Sequence, residues 1–212
     1  RESCQVPAPD APLAPAAVHS TPARRMEAEV PSPFVELTTS RFRLRRIVPA
    51  DVGMIFRGLS DPQVIAHYGV SYASLEATQR QMDWFEEIHA AGTGVWWGIC
   101  ERGADDALIG ACGLNDVRAE HRRGELGYWL LPGHWGRGIA TECVGTMLEH
   151  AFGAMGLHRV GADVDVDNHA SRRLLERLGF RRQRAEQESP VPRHGEPRQP
   201  ERLAVETDVV AG

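Results

Sequence analysis

The chain has 212 residues, of which 42% are hydrophobic, and a formal net charge of -5 at pH 7. That length and composition are typical of one soluble domain with some sequence to spare. No apolar run approaches the roughly 20 residues that cross a bilayer, and the negative charge argues against a nucleic-acid partner. We therefore expect neither a membrane nor a nucleic acid as partner, and the charge mildly favours a cationic substrate.

Cysteine and histidine usage indicates a cytoplasmic protein without a metal site. The four cysteines contain no C-x-x-C pair, and three of them fall on predicted strands or a helix, so we expect reduced thiols in the core. The nine histidines show no H-x-x-x-H spacing. The N-terminal residues also lack the charged and then apolar pattern of a secretory signal.

Proline placement divides the chain into three parts. Seven of the 14 prolines lie in residues 1–33, four lie in residues 183–212 and three lie between. The Pro/Ala-rich stretch 1–33 has too little apolar surface to offset the entropy of ordering, so we predict a disordered extension. Met26 is expected to be the natural start, with residues 1–25 upstream of it. Residues 34–182 are the predicted domain.

The first half of this domain mixes strand and helix patterns. Alternating apolar and polar residues predict strands, and apolar residues three or four positions apart predict helices. The predicted spans are a strand at 42–47, helices at 51–59 and 74–89, and a hairpin of strands at 95–101 and 107–117.

The stretch Arg123–Phe152 predicts a strand, a glycine-rich turn and a helix in direct succession. Residues 125–131 alternate in the manner of a strand, and Pro132 should end regular pairing because it has no N–H to donate. Gly136 and Gly138 follow, and a helical apolar stripe comes after them. A turn with little side-chain bulk that leads into a helix directs several free N–H groups at one point. The segment therefore predicts an anion site.

Three kinds of glycine loop compete for this segment. A P-loop requires G-x-x-x-x-G-K-[ST], and this chain contains no lysine. A dinucleotide-binding loop requires a third glycine where this chain has Thr141, and it lies near the start of its fold. The sequence W-G-R-G-I-A at Trp135–Ala140 resembles the acetyl-CoA loop of GNAT N-acetyltransferases, R/Q-x-x-G-x-G/A, with Trp135 in place of Arg or Gln.

A second segment strengthens this resemblance. Val160–Asn168 alternates like a strand, and Asn168–Phe180 has the pattern N-x-x-S-x-x-L-L-E-x-L-G-F of a short helix that ends at a glycine. Together with E-L-G-Y-W-L at 125–130, these motifs closely resemble the GNAT branch that acetylates ribosomal-protein N-termini. The resemblance covers about residues 34–182.

The resemblance implies an α+β fold of the GNAT type, in three layers. It consists of a mixed, mostly antiparallel sheet with helices on both faces and two central strands that splay apart. The chain departs from the family after Phe180, where two more strands should complete the second arm of the sheet. Residues 183–212 contain four prolines and little alternation, and only 203–205 and 209–210 have strand character. We predict an atypical, poorly ordered tail.

The resemblance also implies acetyl-CoA as co-substrate. Backbone N–H groups around Leu130 and Leu131 would polarise the acetyl carbonyl, and Asn168 and Ser171 would lie beside the pantetheine and the departing sulfur. Arg137 is either a charge-assisted contact to the pyrophosphate or a solvated loop arginine. The loop that would hold the pyrophosphate comprises Trp135, Gly136, Arg137, Gly138, Ile139, Ala140 and Thr141.

Two residues are candidate catalysts. By this resemblance, Ser171 occupies the position of the serine that protonates the departing thiolate in the ribosomal-protein branch. Serine also commonly caps a helix, and that is the alternative role. Leu175 occupies the position where many GNAT enzymes carry a tyrosine acid. Glu125 is the candidate general base, acting through water, or alternatively a surface glutamate. Tyr128 lies on the core face of its strand and is interpreted as packing.

The acceptor side is specified less well. Residues 62–75, which include His67, Tyr68 and Tyr72, are expected to line it. Three aspartates share one face of the later strand and either remain solvated or attract a cationic amine; these are Asp163, Asp165 and Asp167.

The leading hypothesis is an acetyl-CoA-dependent N-acetyltransferase that acts on a primary amine, namely the α-amine of a protein or peptide. Two alternatives stay open. One is an acetyltransferase for a small amine, such as a polyamine or an aminoglycoside, and the other is a module that binds acyl-CoA without turnover. The sequence is compatible with a monomer or a homodimer.

Overall fold

The computed structural model describes residues 33–182 and 201–206 of the chain. Within them, the strands are β1 (Leu37–Thr38), β2 (Phe42–Arg46), β3 (Val95–Glu101), β4 (Leu108–Arg118), β5 (Arg123–Leu130), β6 (Arg159–Val164), β7 (Arg181–Arg182) and β8 (Glu201–Glu206). The helices are α1 (Val52–Leu59), α2 (Pro62–Ile65), α3 (Leu75–Ala90), α4 (Ile139–Phe152) and α5 (His169–Arg177).

The strands form one sheet in the order β1-β2-β3-β4-β5-β6-β8-β7. Every neighbouring pair is antiparallel except β5 and β6, which are parallel and are joined by a crossover through α4. A parallel pair requires such a crossover because its strands cannot be joined by a hairpin turn. The predicted mixed, mostly antiparallel sheet is confirmed.

Two groups of buried side chains cover opposite faces of the sheet. One includes Val144 and Met147 of α4 and Leu175 of α5. The other includes Ile55 of α1 and Phe85 of α3. Since each face packs against its own helices, the predicted three-layer arrangement with helices on both faces is confirmed.

Local sequence signals explain where the long helices begin. The Ser74 side chain accepts a hydrogen bond of 3.0 Å from the N–H of Ala77, which caps α3 within one residue of the predicted start. Helix α1 begins differently, because no side chain caps it at Asp51. The buried Asp51 carboxylate instead accepts two hydrogen bonds of 2.8 Å from the Arg45 guanidinium, which ties α1 to β2.

The structure differs from the prediction at the far end of the sheet. Residues 201–206 form β8, which pairs with β6 on one side and with β7 on the other. Leu203 and Ala204 of this strand are buried, so apolar burial rather than a regular alternation specifies it. The strand character expected at 203–205 agrees with β8, and the second arm of the sheet, where the chain was expected to depart from the family, is present at these residues. Residues 1–32, 183–200 and 207–212, which carry the predicted extension and most of the predicted tail, lie outside the described part.

The three cysteines in the described residues, Cys100, Cys112 and Cys143, are buried free thiols. In the same part of the chain, no helix is long and apolar enough to cross a membrane. No group of three or more His, Cys, Asp or Glu side chains within 33–182 and 201–206 is arranged to hold a metal ion.

Candidate active site

The central strands separate and leave a gap in the sheet. β5 pairs with β6 only from Arg123 to Glu125, and beyond that point the two strands diverge. A cavity of about 1140 Å³ occupies this gap and is lined by Leu126–Leu130 of β5 and Ala162–Val164 of β6. Side chains from both faces of the sheet line it, so the cavity passes through the sheet. The predicted splay of the central strands is confirmed.

The hydrogen-bond pattern of β5 decides which backbone groups face the gap. The N–H of Leu131 donates to the carbonyl of Ile109 at 2.9 Å, so it points towards β4 and is already engaged. Gly110 pairs with Leu130 in the antiparallel ladder. Because bonded and non-bonded pairs alternate in such a ladder, the backbone groups of Leu130 point away from β4 and into the gap. Of the two predicted carbonyl-polarising positions, Leu130 directs its N–H into the gap and Leu131 does not.

The glycine-rich loop leads directly into α4. Gly136 and Gly138 have φ values of 72° and 74°, a left-handed conformation that glycine adopts without strain. Gly138 is the N-cap, and the first helical bond runs from Glu142 N–H to the Gly138 carbonyl at 3.1 Å. The four amides from Gly138 to Thr141 therefore have no partner within the helix, and no side chain caps this helix end. The loop and helix start, where the sequence predicts an anion site, line the cavity.

Two side chains of the loop differ in their role. The indole Nε1–H of Trp135 donates to the Leu130 carbonyl at 2.8 Å and so attaches the loop to the end of β5. Arg137 is not among the residues that line the cavity. Its guanidinium lies 3.8 Å from Glu101 and is half exposed, while its backbone carbonyl accepts hydrogen bonds from Arg41. A direct charged contact from Arg137 to the pyrophosphate is thus the less favoured of its two interpretations.

Arg41 holds the loop against the first turn of α4. Its Nε–H donates to the Glu142 carboxylate at 2.7 Å, and its two Nη groups donate to the carbonyl of Arg137 at 3.3 Å. Ser40 adds a hydrogen bond of 2.9 Å to the same carboxylate. Desolvation alone would raise the pKa of Glu142, but hydrogen bonds from Thr39, Arg41 and Ser40 outweigh it and lower that pKa to about 2.

Ser171 lies on the opposite wall of the cavity with its hydroxyl engaged by Tyr128. The Asn168 side chain accepts a hydrogen bond of 3.0 Å from the Ser171 N–H and caps α5. The Ser171 hydroxyl therefore does not cap the helix, and instead lies 2.6 Å from the Tyr128 hydroxyl. Burial raises the pKa of Tyr128, and the hydrogen bond with Ser171 partly opposes this shift. Tyr128 packs against the buried core, as predicted, and its phenol also reaches the cavity.

Glu125 lies apart from these groups. It belongs to the short section of β5 that pairs with both neighbours, opposite Asn115 and Gly161. It is not among the residues that line the cavity. The structure therefore does not bring the predicted general base to the site, because the gap opens only beyond its position.

The acceptor end of the cavity is the part on the α1 and α3 face of the sheet, and it has an aromatic wall. The predicted His67, Tyr68 and Tyr72 line it, together with Trp84 and Trp96. The two tryptophan rings lie 6.1 Å apart in an edge-to-face arrangement.

Two glycines make room for the ring of Trp96. A Cβ at Gly113 or Gly127 would lie 2.4 Å or 2.7 Å from the ring of Trp96. Glycine inside a strand commonly marks such a close approach. Gly113 and Gly127 could therefore have indicated that a bulky side chain, here Trp96, packs against these strands.

Carboxylates form the other side of the acceptor end. Asp163, Asp165 and Asp167 all line the cavity. Asp165 contacts His67 directly, with the imidazole Nδ1 and the carboxylate Oδ2 at 2.8 Å. This contact joins the segment after α2 to the segment after β6.

Comparisons with known proteins agree with this geometry. A family profile described as "Acetyltransferase (GNAT) domain" matches residues 41–181. The uncharacterized N-acetyltransferase YoaA of Bacillus subtilis (strain 168) is 37% identical over 151 residues, which cover 71% of this chain and 85% of YoaA. The chain belongs to the GNAT acetyltransferase family.

Two further relatives carry named acceptors. The ribosomal-protein-serine acetyltransferase of Escherichia coli (strain K12) is 32% identical over 76 residues, which cover 36% of this chain and 42% of that protein. The spermidine N-acetyltransferase of Vibrio cholerae, solved in complex with CoA and spermine, has a TM-score of 0.66 at 21% identity and covers 79% of this chain and 96% of its own. The resemblance to the ribosomal-protein branch of GNAT enzymes is confirmed.

The residues of this GNAT domain fit acetyl-CoA, the co-substrate of the family. Four free amides at the start of α4 suit a pyrophosphate. The gap-facing backbone of Leu130 suits an acetyl carbonyl. The cavity of about 1140 Å³ slightly exceeds the usual range of roughly 300–1000 Å³ for a small-molecule site, which leaves room for an acceptor as well.

Proposed function

We propose that this GNAT enzyme transfers the acetyl group of acetyl-CoA to the α-amine of a protein or peptide. The observation that carries the proposal is the composition of the acceptor end. Carboxylates of Asp163, Asp165 and Asp167 lie on one side of it and aromatic rings on the other. Carboxylates attract an ammonium group, and aromatic faces bind a cation at close range.

The arrangement of the carboxylates favours an acceptor with one cationic end. Within the described residues, the acidic side chains that line the cavity come from the short segment 163–167. A peptide N-terminus offers one ammonium followed by an apolar or amide-bearing chain, which suits the aromatic wall. An α-amine also has an ordinary pKa near 8, so it is deprotonated more easily than a lysine or polyamine nitrogen near 10.

The residues at the gap divide the chemical work. Bound acetyl-CoA supplies an acetyl group as a thioester at this position. The Leu130 N–H, which faces the gap, donates to the acetyl oxygen as negative charge develops there. Ser171, supported by Tyr128 at 2.6 Å, is placed to donate a proton to the departing sulfur.

Two alternatives are kept as outcomes of the test. The same carboxylates would attract a polyamine or an aminoglycoside. A module that binds acyl-CoA without turnover is less well supported, because β8 completes the second arm and because the Tyr128–Ser171 pair lies at the cavity.

The experiment follows thiol release from acetyl-CoA with a panel of acceptors, and acetyl-CoA binding is measured by calorimetry in parallel. The panel contains peptides with free N-termini, the same peptides with blocked N-termini, spermidine and an aminoglycoside. We expect turnover on free peptides and none on blocked ones. Turnover confined to spermidine or the aminoglycoside would show that the acceptor is a small amine rather than a peptide. Acetyl-CoA binding without any turnover would favour a module that binds acyl-CoA without catalysis.

A further inference from the structure

The His67–Asp165 pair lies at the acceptor end and has a defined orientation. The imidazole Nδ1 and the carboxylate Oδ2 are 2.8 Å apart, and the two side chains are 37% and 38% exposed, so an acceptor can reach them. The other carboxylate oxygen accepts the N–H of Asp167 at 2.9 Å. We propose that His67, oriented by Asp165, is the catalytic base that takes a proton from the acceptor amine. This inference rests on the proposed amine acetylation.

The hydrogen bonds of Asp165 specify the tautomer of His67. An ionised carboxylate only accepts hydrogen bonds, so Nδ1 must carry the shared proton and Nε2 is left as the basic nitrogen. The hydrogen bond from His67, followed by that from Asp167, lowers the pKa of Asp165. The carboxylate therefore stays ionised at neutral pH and stabilises the imidazolium when it forms.

One short connection carries both Asp165, which orients the candidate base His67, and Ser171, the candidate acid. Asp165 and Ser171 lie at the two ends of the segment between β6 and the first turn of α5. The Asp165 carbonyl accepts the Asn168 N–H at 2.9 Å, and the Asn168 side chain accepts the Ser171 N–H at 3.0 Å. Because this segment is held by its own hydrogen bonds, the positions of His67 and Ser171 are linked across the cavity.

The proton balance assigns one step to each residue. His67 Nε2 takes the first proton from the ammonium group and later releases it to solvent. The freed lone pair forms the N–C bond with the acetyl carbon, the C–S bond breaks, and its electron pair stays on sulfur. The nitrogen loses its second proton to solvent as the amide forms. Ser171 delivers a proton to the sulfur and regains one from solvent, so the second proton of the nitrogen is matched by the one on sulfur. One proton is released for each acetyl group transferred.

Other ionisable groups at the acceptor end differ from His67 in their chemistry. Asp163 and Asp167 are carboxylates and have no imidazole nitrogen. Burial raises the pKa of Tyr68 and of Tyr72 above the ordinary phenol value. A limb near neutral pH that one histidine substitution removes therefore reports that imidazole, whereas the limb of the acceptor α-amine, near pH 8, is the same in every variant. His169 of α5, which also lines the cavity, provides the comparison.

The kinetic experiment uses His67→Asn, because the asparagine amide keeps an N–H donor for Asp165 but has no basic nitrogen. We expect kcat/KM to fall about 100-fold or more, with acetyl-CoA affinity kept and with loss of the limb near neutral pH, while the limb of the acceptor amine is retained. His169→Asn should retain the limb near neutral pH. A His67→Asn variant with nearly normal kcat/KM and an unchanged limb would overturn the proposal, as would a loss of the limb in Glu125→Gln alone.

A second measurement needs no acetyl-CoA. Nitrogen-15 NMR of the imidazoles should show His67 as the Nδ1–H tautomer, and Asp165→Asn should mix the two tautomers. An Nε2–H tautomer in the unmodified protein would reject the pair as a base. If the unmodified enzyme acetylates no amine, the proposed function fails. If it acetylates an amine and His67→Asn does so equally well, only the role of His67 fails.

Discussion

Tyr128 of β5 and Ser171 of α5 share a hydrogen bond of 2.6 Å across the cavity that separates the central strands. The two residues are 43 positions apart in the chain, and Asn168 caps the helix in place of Ser171. The serine hydroxyl is therefore available for chemistry, and the half-buried phenol holds it in position.

Ser171→Ala should lower kcat by about 100-fold, near the lower end of what a positioned acid contributes. Acetyl-CoA affinity and the melting temperature should change little, because the helix cap is the Asn168 side chain. Steady-state kinetics, calorimetry and thermal unfolding measure the three quantities. An unchanged kcat would leave Ser171 without a catalytic role.

Tyr128→Phe keeps the packed ring and removes the hydroxyl, so we expect a smaller loss of kcat, of about 10-fold. Loss of one hydrogen bond should reduce the free energy of unfolding by about 0.5–1.5 kcal/mol. If the tyrosine acts through Ser171, the double variant should be no slower than Ser171→Ala alone, since residues in one network are not additive. Additive losses in this cycle would assign the two hydroxyls to separate steps.

Gly138→Asp should abolish acetyl-CoA binding, because it places a carboxylate where the helix-terminal amides meet the pyrophosphate. It also forces a side chain into a φ of 74°, which costs an L-residue about 1–2 kcal/mol. Gly138→Ala separates the strain from the charge and should weaken binding without abolishing it. Gly133→Asp is the matched control, because Gly133 has open space around it and is not among the residues that line the cavity. Calorimetric titration with CoA distinguishes these outcomes, and tight binding by Gly138→Asp would place the anion elsewhere.

Glu142 should make the unfolding free energy dependent on acid pH. Its pKa is about 2 in the folded protein and ordinarily near 4.3 in an unfolded chain. A folded pKa below the unfolded one stabilises the protein above the unfolded pKa, and that contribution is lost as the pH falls from about 4.5 to 2.

Urea unfolding of the Glu142→Gln variant at several pH values tests this expectation. The stability difference from the unmodified protein should be largest at neutral pH and should shrink over that acid range. Glu149→Gln, at an exposed position of the same helix, should follow the unmodified protein. A difference that stays constant with pH would mean that Arg41 and Ser40 do not favour the ionised form of Glu142.

Several features of the site follow from neighbouring residues and were therefore predictable. The glycines at 136 and 138 precede an apolar helical stripe, and the structure has Gly138 as the N-cap of α4. The alternation in β5 separates the residues of its two faces, as the two buried groups show. The expectation that His67, Tyr68 and Tyr72 line the acceptor side also agrees with the cavity. In each case a short local pattern limits the conformation.

Other features depend on residues far apart in the chain. Strand alternation assigns Tyr128 to the core face, but only the splay of β5 from β6 shows that this face opens to a cavity. Glu125 belongs to the same strand, and it does not line the cavity because the strands still pair at its position. The position of β8 between β6 and β7 also depends on strand pairing and burial. The sequence of residues 183–200, which precede β8, has no regular pattern that would predict this position.

The sequence by itself determined the family, the glycine-rich loop and the helix that follows it. Local motifs identify the family, and backbone geometry at glycines and at a helix start is set by adjacent residues. Only the tertiary structure decided which side chains meet at the gap. His67 and Asp165 are 98 positions apart, and Arg41 and Glu142 are 101 apart. Contacts of this kind depend on how the strands and helices pack, and no pattern within a short window of sequence contains that information.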